Sequence, residues 1–302
     1  MSTSSVIGRD VRASWRARVA DYVELTKPRV VVSVAVMVAA AYGGACGATP
    51  GTPLLGRVLL GTLLVACSAG AANQWLERHR DALMARTSNR PLPAGRLTVA
   101  EAIFFAAWTG ILGTVCLLWS AGWRTAAWAA LTWLLYAAVY TPLKPRTSWS
   151  TAVGALAGAM PVFIGASAAG SLPSLRGVSL FLLLLLWQFP HFAAISWIYR
   201  DQYAAAGMRM LSVVDGTGRR AGLCAVLAAG ATVPVSVLPS VSLPGAGNAL
   251  YVVSAVALGC VQLGFAVAFL LRRDDLAARR LLRASLAHLL PLLLLLWVLS
   301  WM

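Results

Sequence analysis

The 302-residue chain is 59% apolar and only 12% charged, which excludes an ordinary soluble domain and indicates a polytopic membrane protein. A formal charge of +15 would point to nucleic acid in a soluble chain; in a membrane protein its placement along the loops decides, and no nucleic-acid partner is expected. The five cysteines lie in apolar segments without a CxxC pair, so neither a disulfide framework nor a thiolate metal site is expected.

Residues 1–20 hold Arg9, Arg12, Arg16 and Arg18 and no apolar core, so they are expected to form a polar cytoplasmic segment and not a cleavable signal. Residues 21–302 complete a single polytopic membrane domain spanning 1–302. Residues 21–29 (Asp-Tyr-Val-Glu-Leu-Thr-Lys-Pro-Arg) have the basic, aromatic character of an interfacial helix leading into a first span. Apolar runs of spanning length follow at 30–48, 54–77, 98–119, 122–140, 150–170, 177–199, 221–240, 247–271 and 282–301. They predict an all-α integral membrane protein with about nine transmembrane helices.

Of the 25 lysines and arginines, all but Arg57, Arg124 and Arg176 fall on the N-terminus and on the loops after spans two, four, six and eight. Basic residues accumulate in cytoplasmic loops, so this set is predicted inside and the C-terminus outside. The acidic residues share that side, although acids contribute little to orientation. The functional polar chemistry is therefore expected at the cytoplasmic face of the cell membrane.

The second span ends by placing Asn73, Glu77 and Asp81 at i, i+4 and i+8, on one face of a helix and roughly 6 Å apart per step. Three oxygen ligands on one stripe suit a hard divalent cation such as magnesium, which shares its remaining positions with phosphate and water. Arg86 and Arg90 crowd the following loop, as a diphosphate requires. The plainer alternative is a helix end at the membrane surface, with Glu77 and Asp81 neutralised by Arg78 and Arg80.

Between spans four and five, Tyr140-Thr-Pro-Leu-Lys-Pro-Arg-Thr-Ser-Trp149 is a proline-stiffened loop carrying Lys144 and Arg146. Span five is rich in small residues, among them Gly154, Gly158 and Gly165, which favour close helix packing. Span six contains Trp187-Gln-Phe-Pro-His-Phe192 and ends in Tyr199-Arg-Asp-Gln-Tyr203. His191 lies inside an apolar run, where it needs a partner or a function; an interhelical hydrogen bond is the simple alternative. Asp201 is ten residues on, about 15 Å away along a continuous helix, and Pro190 is expected to bend that helix. His288 in the last span is expected to be structural.

The stretch 73–96, with Asn-x-x-x-Glu-x-x-x-Asp and Arg86-Thr-Ser-Asn-Arg-Pro-Leu-Pro-Ala-Gly-Arg96, resembles the first motif of the UbiA superfamily of intramembrane prenyltransferases. Leu25-Thr-Lys-Pro-Arg29, Tyr140-Thr-Pro-Leu-Lys144 with Arg146-Thr-Ser-Trp149, and Trp187-Gln-Phe-Pro-His-Phe192 narrow the resemblance to the branch that farnesylates protohaem IX. The resemblance implies a ring of nine helices around a central cavity, with two acidic motifs facing each other at the cytoplasmic mouth. It implies Mg2+ as cofactor, farnesyl diphosphate and haem B as substrates, and haem O as product, passed to a haem A synthase or a terminal oxidase. Carried onto this chain, the catalytic and metal residues are Asn73, Glu77, Asp81 and Asp201. The substrate-binding residues are Arg86, Arg90, Tyr140, Lys144, Arg146, Gln188, His191 and Tyr203. The second motif departs from the pattern: the chain offers Asp201 followed by Gln202, where many members of the branch carry an acid before the tyrosine. A prenyltransferase acting on an aromatic acid or quinone precursor is one alternative, and a membrane transporter is another.

Overall fold

The computed structural model describes residues 15–46, 53–172, 174–242 and 245–299. Arg9, Arg12 and the ends of the first and last expected spans lie outside them. All regular structure among the described residues is helical. A short helix, α1 (Trp15–Leu25), precedes α2 (Pro28–Cys46), α3 (Pro53–Asp81) and the long α4 (Val99–Trp133), which continues through a π-helical turn (Leu134–Tyr140) into α5 (Thr141–Leu143). Then follow α6 (Ser150–Ala159), α7 (Pro161–Ala168), α8 (Leu175–Ile198), α9 (Arg200–Ala205), α10 (Leu211–Val214), α11 (Arg219–Val237), α12 (Gly245–Arg272) and α13 (Asp275–Leu299).

Among the described residues, seven helical stretches are long and apolar enough to cross a membrane, and Pro28–Gly43 is apolar but shorter. One of the seven, Val99–Leu143, has 45 residues. Straight, it would measure roughly 67 Å, about twice a bilayer's hydrocarbon core. It is not straight: Gly122 sits at φ 82°, ψ 172°, a conformation essentially reserved for glycine. Ser68 on α3 shows the result, since its hydroxyl donates to Ala106 O at 2.6 Å and accepts from Trp133 Nε1 at 2.9 Å. A straight helix would hold Ala106 and Trp133 about 40 Å apart. The chain therefore folds back at Gly122, and both arms of α4 pack along α3.

The other helices close on themselves. α2 packs on α3 and α7, α6 on α8, α8 on α11 and α13, α11 on α12, α12 on α13, and α13 back on α2. The apolar core follows this order, with Leu180, Leu183, Leu184 and Trp187 of α8 meeting Tyr251 of α12 and Leu289, Leu292 and Leu296 of α13. A second cluster joins α8, α11, α12 and α13 through Trp197, Phe269 and a run of alanines. An apolar cavity of about 770 Å³ lies between α3 and the arms of α4, lined by Val65, Trp75, Ile103, Ile111 and Trp133.

α8 runs from Leu175 to Ile198 with Pro190 inside it, which removes one intrahelical bond. One local expectation is corrected: the chain turns at Tyr199, at φ −110°, before α9 begins. Asp201 thus stands on a separate short helix and not on an extension of α8.

Candidate active site

Asn73, Glu77 and Asp81 occupy the last turns of α3 and are buried, with exposures of 0%, 5% and 1%. Leaving carboxylates there uncompensated would cost several kcal/mol each. Each of the three meets a cation brought by a different part of the chain. Lys27 donates to Asn73 Oδ1, Lys144 Nζ lies 2.7 Å from Glu77 Oε1, and Arg90 NH1 donates to Asp81 Oδ2 at 2.7 Å. Asn73 Nδ2 also donates to Thr141 Oγ1 at 2.8 Å, which ties α3 to α5. The Lys144 contact is a buried ion pair at charge-assisted hydrogen-bond distance. The surface-neutralisation alternative fails here, because Arg78 turns to its own helix, donating to Trp75 O at 2.9 Å.

The cations are themselves held in place. Lys27, between α1 and α2, adopts the left-handed region at φ 59°, a strained conformation for a side-chain-bearing residue. Burial and the nearby Arg90 push its ammonium down to about 7. Lys144 shares the burial, but Glu77 and the phenols of Tyr140 and Tyr136 outweigh it and raise its pKa above the usual lysine value. Its ammonium lies 4.5 Å from the Tyr140 ring centroid, and its carbonyl accepts from Arg209 N at 2.7 Å. On α1, Asp21 and Glu24 both pair with Arg96, which closes the loop after α3 against the interfacial helix.

Arg86 makes different contacts from Arg90. Its guanidinium lies 4.6 Å from the Tyr199 ring centroid and 5.5 Å from that of Tyr203, and it donates to Tyr203 Oη at 3.1 Å. Its backbone N–H donates to Gln202 Oε1 at 3.1 Å. The loop after α3 is therefore clasped to α9 through Arg86, Gln202 and Tyr203. Gln202, not Asp201, faces the first motif. Asp201 is exposed, and no group of three or more His, Cys, Asp or Glu with metal-binding spacing forms among the described residues. Asn73, Glu77 and Asp81 thus share one buried stretch of α3, while Asp201 is exposed on α9. Arg146 is exposed beside Lys144 and makes no ion pair among the described residues.

The span-six residues look elsewhere. Gln188 Nε2 donates to Ala155 O at 2.8 Å, and Gln188 lies so close to Gly158 that a Cβ there would fall 2.2 Å from its Oε1. Its position serves the approach of α8 to α6. His191 is half-buried, stacked on Trp187 at 4.8 Å and bonded through Nδ1 to Ser285 Oγ at 2.9 Å. It does make the interhelical contact that its burial requires. His288 pairs with Gln262 in a buried contact between α12 and α13. Lys27 and Thr141 belong to stretches that carried the family resemblance, yet neither was a candidate; Ser285 carries no signal in the sequence.

A helical membrane fold with buried acidic groups, each matched by a cation from another segment, is the kind of fold and site an intramembrane group-transfer enzyme has. The sequence matches the UbiA prenyltransferase family over residues 30–301, and the chain belongs to that family. It is a prenyltransferase. Its similar relatives include the protoheme IX farnesyltransferases of Rhodopirellula baltica, 42% identical over 90% of this chain and 97% of that protein, and Solibacter usitatus, 40% identical over 89% and 94%. Among solved structures, one of a digeranylgeranylglyceryl phosphate synthase superposes with TM-score 0.78 at 16% identity, covering 94% of this chain and 99% of that one. A UbiA homolog from Archaeoglobus fulgidus bound to GPP and Mg2+ superposes with TM-score 0.67 at 16% identity, covering 93% and 99%.

Proposed function

We propose that the chain transfers the farnesyl group of farnesyl diphosphate to a vinyl group of haem B, with addition of water, to give haem O. The observation that carries the group-transfer chemistry is the buried set Asn73, Glu77 and Asp81, each matched by a cation from another segment. Similarity to protoheme IX farnesyltransferases along nearly the whole chain supports haem B as the acceptor over an aromatic acid or quinone precursor.

The donor set fits Mg2+: one amide and two carboxylates offer buried oxygen atoms on a single helix face. Bound there with Asn73, Glu77 and Asp81, the ion would supply positive charge to the departing diphosphate. Lys144 and Arg90 turn from the carboxylates to the phosphate oxygens when substrate arrives, and Lys27 completes the charge at the mouth. Arg146, exposed at the same mouth, adds a forked donor. Arg86 holds the loop against α9 and leaves phosphate contact to Arg90. The carbon–oxygen bond of farnesyl diphosphate breaks, the vinyl carbon of haem B attacks the farnesyl carbon, and water adds to the remaining cationic carbon.

In the membrane, the fold is read as nine passes: α2, α3, the two arms of α4, α6 with α7, α8, α11, α12 and α13, around a central acceptor space. The hairpin at Gly122 supports counting α4 twice, and the basic loops support a cytoplasmic mouth with the C-terminus outside. Haem O would then pass to a haem A synthase or a terminal oxidase.

The test is a pigment assay in cells lacking their own haem O synthase, with extracted haems resolved by mass. A farnesylated haem that disappears in Asp81→Ala supports both reaction and site. A folded, abundant wild-type chain that yields only haem B rejects the acceptor, and the same membranes are then assayed with aromatic acids.

A further inference from the structure

His191 is held by an arrangement whose hydrogen-bond count has one best solution. Ser285 Oγ lies 2.8 Å from Leu282 O, one turn back on α13, and 2.9 Å from His191 Nδ1 on α8. A serine hydroxyl has one proton and two lone pairs. If it donates to His191, the contact to Leu282 O brings two acceptors together and is lost. Both bonds form only when Ser285 donates to Leu282 O and accepts from a protonated Nδ1. That places the imidazole proton on Nδ1 and leaves Nε2 with a free lone pair.

The same serine anchors the ring plane. Trp187 Nε1 donates to Ser285 O at 2.6 Å, and the indole stacks on His191 with 25° between planes. Trp187, His191 and Ser285 thus join α8 to α13 as a unit. His191 Nε2 makes no hydrogen bond among the described residues, and the side chain is only partly buried. His288 supplies the contrast: its Nδ1 is bonded to Gln262, and its unpartnered Nε2 is sealed at 1% exposure. Of these two histidines, only His191 combines a free lone pair with an incompletely buried side chain.

We infer that Ser285 is a positioning residue that sets the tautomer and ring plane of His191, so that Nε2 ligates the iron of the porphyrin substrate. The inference rests on haem B being the acceptor. A partner at the far ring nitrogen of an iron-bound histidine both orients the ligand and raises its basicity. Serine is a weaker partner than a carboxylate, and its own bond to Leu282 O strengthens its role as acceptor.

The experiment compares equilibrium binding of haem B and of metal-free protoporphyrin IX to the full chain in lipid nanodiscs, for wild type, Ser285→Ala, Ser285→Thr and His191→Ala. Losing such a partner weakens metal ligation by about 10–100-fold. Ser285→Ala is therefore expected to weaken haem B by about that factor, lose the histidine-ligated iron spectrum, and leave protoporphyrin IX binding unchanged. Ser285→Thr restores both, and His191→Ala matches or exceeds the loss in Ser285→Ala. Equal weakening of both porphyrins in Ser285→Ala overturns the inference in favour of a packing role. Unchanged haem B binding in Ser285→Ala or in His191→Ala also overturns it. If the wild-type chain binds neither porphyrin, the acceptor assignment itself fails and takes the inference with it.

Discussion

Lys144→Met isolates the pair at the centre of the mouth. Lys144 Nζ lies 2.7 Å from Glu77 Oε1, with side-chain exposures of 13% and 6%, so the substitution leaves a buried carboxylate with no counter-charge on that side. Breaking a buried pair in this way costs about 3–5 kcal/mol, corresponding to a fall of roughly 6–10 °C in Tm for a chain of this size. Glu77→Gln in the same chain removes the orphaned charge and should recover most of the loss. If Glu77 holds a divalent cation, Mg2+ can replace the missing ammonium and should raise the Tm of Lys144→Met more than that of wild type. The assay is thermal unfolding in detergent, with and without Mg2+, for wild type, Lys144→Met and the double variant. A loss below about 1 kcal/mol in Lys144→Met, or equal Mg2+ shifts in wild type and Lys144→Met, would refute the reasoning.

Asp201→Asn should retain activity within about threefold of wild type, whereas Asp81→Asn, which alters the buried carboxylate beside Arg90, should lose at least about 100-fold in haem O formation. Comparable losses in the two would return Asp201 to the metal set. Gly158→Ala forces Gln188 away from α6, because the new Cβ would fall 2.2 Å from its Oε1. Overpacking plus the lost bond to Ala155 O should destabilise by about 2–4 kcal/mol, read as a lower Tm, and combining it with Gln188→Ala should recover part of that. Outside the membrane, Asp215 accepts from Thr217 Oγ1 at 2.6 Å and from Arg220 N at 2.7 Å, bonds that hold its carboxyl below the usual aspartate value. The stability it contributes is present above the unfolded pKa of about 3.9 and is lost as pH falls through the lower folded value. The Tm gap between wild type and Asp215→Ala should therefore be open at pH 7 and close towards pH 3; a gap independent of pH would refute the assignment.

Much of the membrane architecture was written locally. Spanning length and apolarity marked the helices, and Gly122 opened the second of two expected spans that the structure joins as one folded stretch. The i, i+4, i+8 stripe of Asn73, Glu77 and Asp81 followed from helical periodicity alone, since one helix decides which of its residues share a face. What the stripe meets is a matter of tertiary packing. The nearest arginines in sequence, Arg78 and Arg80, looked like the partners of Glu77 and Asp81, but neither pairs with them among the described residues, and Arg78 donates to Trp75 O. Lys144 and Arg90 arrive from later loops, and Lys27 arrives from the segment before α2. The same distinction separates Asp201 from Gln202: adjacent residues on a helix point about 100° apart, and only the docking of α9 on the loop after α3 selects Gln202. Ser285 was invisible for that reason too. A serine in an apolar span acquires meaning only when α13 packs on α8 and brings its hydroxyl to His191. Local periodicity determined the helices and the face that carries the acids; long-range packing decided which charge each acid meets and which histidine nitrogen is left free.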